Sequence, residues 1–416
     1  ADHLEIVEEI CYDGTPWASE RKWAIGQGYA VREFRVDWET ARTLCDRGVP
    51  FTLTSTEPTS AHLQAIIGYD STAETIIIRD PMEPHYRETV AGSFFKRYAA
   101  HGPRGLLFLP QDEAHRLDDL GALPDEAFYD LNFQLQVALE GHDRDAAEKA
   151  VEEMAAIDPS HRMVHEARAS LASYDGDSRA LLSVVEELAA LYPENQAIML
   201  RRLNAMQRLS MYAEQKPLAA EAVRRQDIHP IFYTVYANLI SDDARRSDEA
   251  SYYYRKAIRY SPSDPEPYQR LAHLLWDVGD LQRATPLYRR ASTLARTNEG
   301  YANNYFLASR HIGGTEGALA FLRGRFDSLG DKDAGPAITL AGAYERLSRD
   351  PEALAVVEEA LQRRPDDGEL LLCATGLCVS VGQLERAGEM LERAKGRCDR
   401  ARWARRAAGM AALNGD

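Results

Sequence analysis

His62 and Asp80 stand at the outer ends of two apolar runs, "HLQAIIGY" and "TIIIRD", with the polar "DSTAE" between them. A carboxylate that holds one nitrogen of an imidazole fixes its tautomer, and the other nitrogen can then draw a proton from a thiol or hydroxyl nucleophile. In an antiparallel hairpin the numbers of opposed residues have a constant sum, so the two face each other if the turn centres on Ser71, their midpoint. Opposed side chains lie about 5 Å apart, which is within reach of one another. Pro81 keeps Asp80 extended and ends the strand. A slip by one residue would place the pair on opposite faces. An ordinary surface His–Asp pair fits the same pattern.

A nucleophile is harder to find. Cys11 lies in "EEICYDGTPW", where Glu8, Glu9 and Asp13 would raise the pKa of its thiol rather than lower it. Cys45, in "ARTLCDRG", reads as a small buried apolar residue. His161 and His165 are four apart, but no third ligand follows, so they read as a solvated pair and no metal is expected. "GQG" at Gly26 and Gly28 lacks a third glycine, so no dinucleotide or other cofactor is expected. The basic run "DRARWARRAAG" near the end reads as the outer face of a helix.

The elements that must carry these residues change character near residue 115. Before it, β-type runs ("PFTLTST", "HLQAIIGY", "TIIIRD", "GLLFLP") follow helical stretches "DHLEIVEEI" and "DWETARTLCDRG", which is an α+β pattern. "PQDEAHRLDDLGALPDE" reads as a polar linker, and from Phe128 the apolar period is helical throughout. The expected organisation is an α+β domain over 1–112, a linker over 113–127 and an all-α array over 128–416.

The array repeats. Helix-ending prolines Pro159 and Pro193 are 34 residues apart, and small–bulky–small triplets recur at Ala250, Tyr254 and Ala257, again at Ala284, Tyr288 and Ala291, and later at Ala353, Val357 and Ala360 and at Ala387, Leu391 and Ala394. Spacings of four and three place each triplet on one helical stripe, where alanines let a neighbouring helix approach closely. This gives about eight units and a partial one.

Charge narrows the partners. Lys and Arg total 49 against 65 Asp and Glu, a net charge of −16, which argues against binding nucleic acid or an anionic membrane. No apolar run is long enough to span a bilayer. Five scattered cysteines fit a reducing compartment, so a cytoplasmic location is expected. No oligomeric state is assigned.

The period, small-residue stripe, inter-helix glycine and terminal proline of residues 128–416 resemble the tetratricopeptide repeat. That resemblance implies a superhelix of helix pairs whose first helices line a concave groove for a protein or peptide partner. It would point Gln269, His273 and Asn303 into the groove. "DRGVPFTLT", "SAHLQAIIGYD", "IIIRDP" and "GPRGLLFLP" resemble the bacteriocin-processing, double-glycine type of cysteine peptidase. The implied fold is papain-like, and the implied chemistry is amide hydrolysis or acyl transfer through a thioester. His62 matches the family's general base, Asp80 its orienting acid, and Gly68, Tyr69 and Pro81 the surrounding motif. The family's nucleophilic cysteine and preceding glutamine have no counterpart, and both ends of the sequence look cut. The expectation is a thiol hydrolase with a recognition arm, inactive as the sequence stands and completed by a cysteine-bearing helix upstream. The competing expectation is a non-catalytic scaffold whose first domain is a relic.

Overall fold

The computed structural model describes residues 18–414, so Cys11 and the helical stretch "DHLEIVEEI" lie outside the described residues. The chain divides into two compact units, one ending at Ile231 and one beginning at Phe232.

The first unit opens with a six-stranded sheet. Helix α1 (Ser19–Gly26) leads to β1 (Ala30–Arg35), α2 (Trp38–Asp46), β2 (Thr52–Glu57), β3 (Ser60–Asp70), β4 (Thr75–Arg79), β5 (Arg87–Val90), α3 (Ala91–Tyr98) and β6 (Arg104–Leu109). The order is β1-β6-β2-β3-β4-β5, with every neighbouring pair antiparallel. Asp37 caps α2 by accepting the Thr40 N–H at 2.9 Å, and Gly48, at φ +61°, ends it. Ala41 and Leu44 of α2 and Phe94 of α3 pack on Phe34, Leu53, Ile66, Ile76, Ile78 and Leu107 of the sheet. Gly105 is required in this layer, because a Cβ there would come within 2.7 Å of Phe34 and Val36.

Beyond β1, a charged layer replaces the apolar one. Arg21 of α1 reaches Glu33 at 3.3 Å, and Arg104 of β6 binds the same Glu33 and also Glu20, the latter at 3.2 Å. The stretch expected to be a linker is packed instead. A 3-10 helix over Gln111–Leu120 and the turn after it bury Leu117 and Leu123 in the sheet's core, with Leu120 partly covered. Leu117 and Leu120, three apart, lie on one edge of the 3-10 helix, Leu123 continues that spacing in the turn, and the polar residues between them hide the period. Arg116 donates to the carbonyls of Arg47 and Gly48, at 3.1 and 2.5 Å.

Three helix pairs complete the first unit: α4 (Glu126–Glu140) with α5 (Arg144–Ile157), α6 (Arg162–Tyr174) with α7 (Ser178–Leu191), and α8 (Gln196–Arg208) with α9 (Tyr212–Ala222). The second unit continues with α10 (Ile231–Ile240) and α11 (Ser247–Tyr260), α12 (Glu266–Asp277) and α13 (Leu281–Leu294), and α14 (Glu299–His311) and α15 (Thr315–Leu329). It closes with α16 (Gly335–Glu345) and α17 (Asp350–Arg363), α18 (Gly368–Ser380) and α19 (Leu384–Ala394), and the further helix α20 (Arg400–Asn414). First helices start at Arg162, Gln196, Ile231 and Glu266, in steps of 34, 35 and 35. All four small–bulky–small triplets of the sequence are buried, which is the packing that their spacing predicts.

Candidate active site

The β3–β4 hairpin brings His62 and Asp80 together by a different route from simple opposition. Asp70 Oδ1 accepts the N–H groups of Thr72 and Ala73 at 2.7 and 3.0 Å, an Asx turn that moves the turn's centre past Ser71. Next to the turn Asp70 faces Thr75 and Gly68 faces Ile77; then the register steps at Ile67, after which Ile66 faces Ile78 and Ala65 faces Arg79. Opposed numbers therefore sum to 145 near the turn and 144 beyond the bulge. Under the first register His62 and Asp80 would lie on opposite faces of the sheet. The bulge restores even parity, so that Asp80 continues across from Gln64 and His62 is its diagonal neighbour on the same face. Direct opposition about Ser71 is thus corrected to a diagonal pair made possible by one extra residue.

His62 Nε2 lies 2.7 Å from Asp80 Oδ2. The other carboxylate oxygen, Oδ1, accepts the Met82 N–H at 2.9 Å, so Pro81 and the turn after it fix the carboxylate's orientation. The Met82 N–H and the His62 hydrogen bond hold the Asp80 carboxyl below the ordinary carboxylate range. Asp80 is buried and His62 half-buried, with side-chain exposures of 7% and 31%. An ionised acceptor at Nε2 selects the tautomer with its proton there and leaves the Nδ1 lone pair without a hydrogen bond among the described residues. Ser55 of β2 is opposed to His62, and Gln64 on the same face donates to Ser55 Oγ at 3.2 Å. Arg87 of β5 donates to Gln64 Oε1 at 3.2 Å, which ties three strands together beneath the pair.

The neighbouring motif residues are structural. Tyr69 donates to Asp46 Oδ1 at 2.6 Å and meets Trp38 edge-on at 5.8 Å, which fastens β3 to α2. Cys45 sits half-buried against the core, and burial followed by the Asp46 charge raises its thiol pKa. No cysteine among the described residues is hydrogen-bonded to His62. His161 and His165 do not form a solvated pair. His161 caps α6, stacks on Phe128 at 3.9 Å and approaches Asp125 at 3.5 Å, while His165 Nδ1 meets Glu187 at 2.9 Å. Among the described residues no three side chains of metal-ligating type converge.

In the array, Gln269 is buried, and its Nε2 lies 3.0 Å from His273 Nε2. His273 Nδ1 meets the Tyr288 hydroxyl at 2.9 Å. With the amide donating to Nε2, the ring proton sits on Nδ1, and burial lowers the pKa of His273. Gln269 and His273 are thereby joined to each other and to the second helix of their pair, while Asn303 is half-exposed on α14.

Sequence reasoning missed a cleft between the β2–β3 turn and the first helices of the array. The β2–β3 turn, through Thr56, Glu57, Pro58 and Ala61, overhangs the first helices α4, α6 and α8 and encloses a cavity of about 500 Å3. His101, Arg162, Glu166 and Arg201 line it, with Arg201 on Glu166 at 2.6 Å. The two layers are knotted together by Arg162, which reaches Asp125 and the Tyr129 hydroxyl at 3.2 Å each, and by Tyr129 donating to the Gly102 carbonyl at 3.1 Å. The signal was available only in part, since none of these residues falls in a motif.

Comparison with known proteins follows this division. Residues 10–105 match the model of the Peptidase_C39 like family, a span that includes both His62 and Asp80. Residues 265–298 match the tetratricopeptide repeat model. The chain carries a Peptidase_C39-like domain and tetratricopeptide repeats. No curated protein matches. Among solved structures it is similar to YrrB, described as a TPR protein with an unusual peptide-binding site, at 17% identity over 45% of this chain and 96% of that one (TM-score 0.29). It is similar to yeast Tom70 at 12% identity over 66% of this chain and 60% of that one (TM-score 0.47). It is also similar to PilW, a type IV pilus biogenesis factor, at 16% identity over 47% of this chain and 94% of that one (TM-score 0.38). No helix among the described residues is long and apolar enough to cross a membrane.

Proposed function

We propose that the Peptidase_C39-like domain is the base-and-acid half of a thiol hydrolase, and that the repeats recruit its protein or peptide partner. The observation that carries the reading is the His62 Nε2–Asp80 Oδ2 hydrogen bond at 2.7 Å, which leaves Nδ1 free of that bond. In this role Asp80 holds the ring and its tautomer, and Nδ1 takes the proton of a cysteine thiol as sulfur attacks the amide carbonyl. The resulting imidazolium, stabilised by Asp80, returns the proton to the leaving amine as the thioester forms, and water then releases the acyl group by the same relay. The described residues supply the relay and not the thiol, so the nucleophile is to be sought by labelling. A cysteine-directed peptidyl electrophile should modify the protein made from its gene's own start codon, and His62→Ala should abolish that modification. Labelling that ignores His62 would favour a scaffold in which the pair only stiffens a hairpin.

A further inference from the structure

The second unit holds a cavity of about 630 Å3 on the face formed by three successive first helices, α16, α18 and α20. Its walls are apolar where Ile338, Leu372, Val379 and Met410 meet, and its rim is Arg402, Arg405 and Arg406 of α20. This is the run "RARWARR" that reads from the sequence as the outer face of a helix; the structure turns three of its arginines to the cavity instead. In a chain of net charge −16, α20 carries four arginines and no acid.

Arg402 is neutralised by Glu369 of α18. Arg405 and Arg406 meet no carboxylate within ion-pairing distance among the described residues. Gly376 makes room for one of them, because a Cβ there would lie 3.0 Å from the Arg406 guanidinium, which therefore rests close against α18. Two guanidinium forks without a carboxylate in ion-pairing contact, beside an apolar wall and with the Glu345 charge acting on Arg406 from farther off, are complementary to carboxylates carried on a chain that also has apolar side chains.

We propose that this cavity binds an acidic peptide segment, in which Asp or Glu side chains pair with Arg405 and Arg406 while an intervening apolar residue packs on Leu372, Val379 and Met410. The site deepens the reading of the repeats as a recognition arm and rests on that reading alone, not on the hydrolase chemistry. With Arg402 already held by Glu369, the two adjacent guanidinium groups of Arg405 and Arg406 suit side-chain carboxylates of a passing chain.

The test uses the full chain and a fluorescein-labelled peptide alternating Glu and Leu, amidated at its C-terminus, with fluorescence anisotropy as the readout. Binding should weaken as salt rises. It should fall at least about tenfold in Arg405→Ala/Arg406→Ala, by the loss of two charge-assisted contacts. Arg405→Lys/Arg406→Lys should fall between the two, because the charge remains and the fork is lost. The thermal melt should be unchanged in both variants, since exposed arginines are replaced. Several results would overturn the proposal: binding only of the free-acid form, equal binding of a Gln/Leu peptide, equal binding of single-stranded DNA, or a self-association that the double variant abolishes. A Gln/Leu peptide bound equally by the wild type and the double variant would remove the arginines from the site while leaving the repeats as a recognition arm.

Discussion

A single hydrogen bond carries most of the functional argument, and the residues around it define what should happen when it is altered. Asp80→Asn keeps the shape of the side chain but no longer demands a proton at Nε2, so the imidazole should populate both tautomers. Nitrogen–proton correlation NMR of the ring should show one tautomer in the wild type and a mixture in the variant. A second residue, Asp125, makes a quantitative prediction. Burial opposes its ionisation, but hydrogen bonding from His161 and the charges of Arg162 and Arg35 outweigh this and push its pKa down to about 2. A depressed carboxyl contributes stability that is present above its unfolded pKa of about 4 and is lost as pH falls toward about 2, an effect of about 2 kcal/mol. Asp125→Asn should therefore lower stability at neutral pH, and the part of the acid unfolding limb between about pH 4 and 2 should flatten. Urea unfolding across that range is the check; a variant with an unchanged acid limb would contradict the assignment. The residue types of this site were legible in the sequence, because His and Asp flanking two apolar strands have few arrangements open to them. The Arg162–Asp125 knot was not, because it joins distant segments and no local period announces it.

At the scale of elements, the hairpin shows what periodicity can and cannot reveal. Ile66, Ile76 and Ile78 are buried, yet the Ile67 bulge adds a residue that no pattern marks, and the register step there decides whether His62 and Asp80 share a face. Ile67 is exposed, at 54%, so deleting it tests register and not core volume. The deletion removes the bulge but leaves Ile66 opposite Ile78 and Gly68 opposite Ile77, so the pair should survive and the Nε2 proton held by Asp80 should remain in the imidazole spectrum. Its loss would mean that the strand beyond Ile67 does not hold the register that places Ile66 opposite Ile78. The segment 113–127 failed to read as structure for a related reason, since leucines spaced by three sit among charges and resemble a tether. The repeats were legible because each unit restates the same alanine stripe, so that several weak signals reinforce one another.

For the molecule as a whole, the sheet domain and the first three helix pairs form one unit rather than two bodies on a tether. A fragment starting at Gln111 should still be helical, because each repeat rests mainly on its neighbours. It should nevertheless lose the partners of Asp125, Glu126 and Asp130, which lie on Arg35, Arg32 and Arg21. Amide hydrogen exchange should therefore accelerate in α4 to α7 and stay unchanged beyond Phe232; uniform protection throughout would show that the sheet contributes nothing to the first pairs. The proposed hydrolase chemistry requires this unit to present a working base. The most direct measurement is steady-state peptide hydrolysis by the protein made from its gene's own start codon, compared with His62→Ala and with enzyme treated with iodoacetamide. The account predicts turnover that alkylation abolishes and that His62→Ala lowers about a hundred- to ten-thousandfold in kcat, with Asp80→Ala falling less. Thiol-dependent turnover that His62→Ala leaves intact would contradict it.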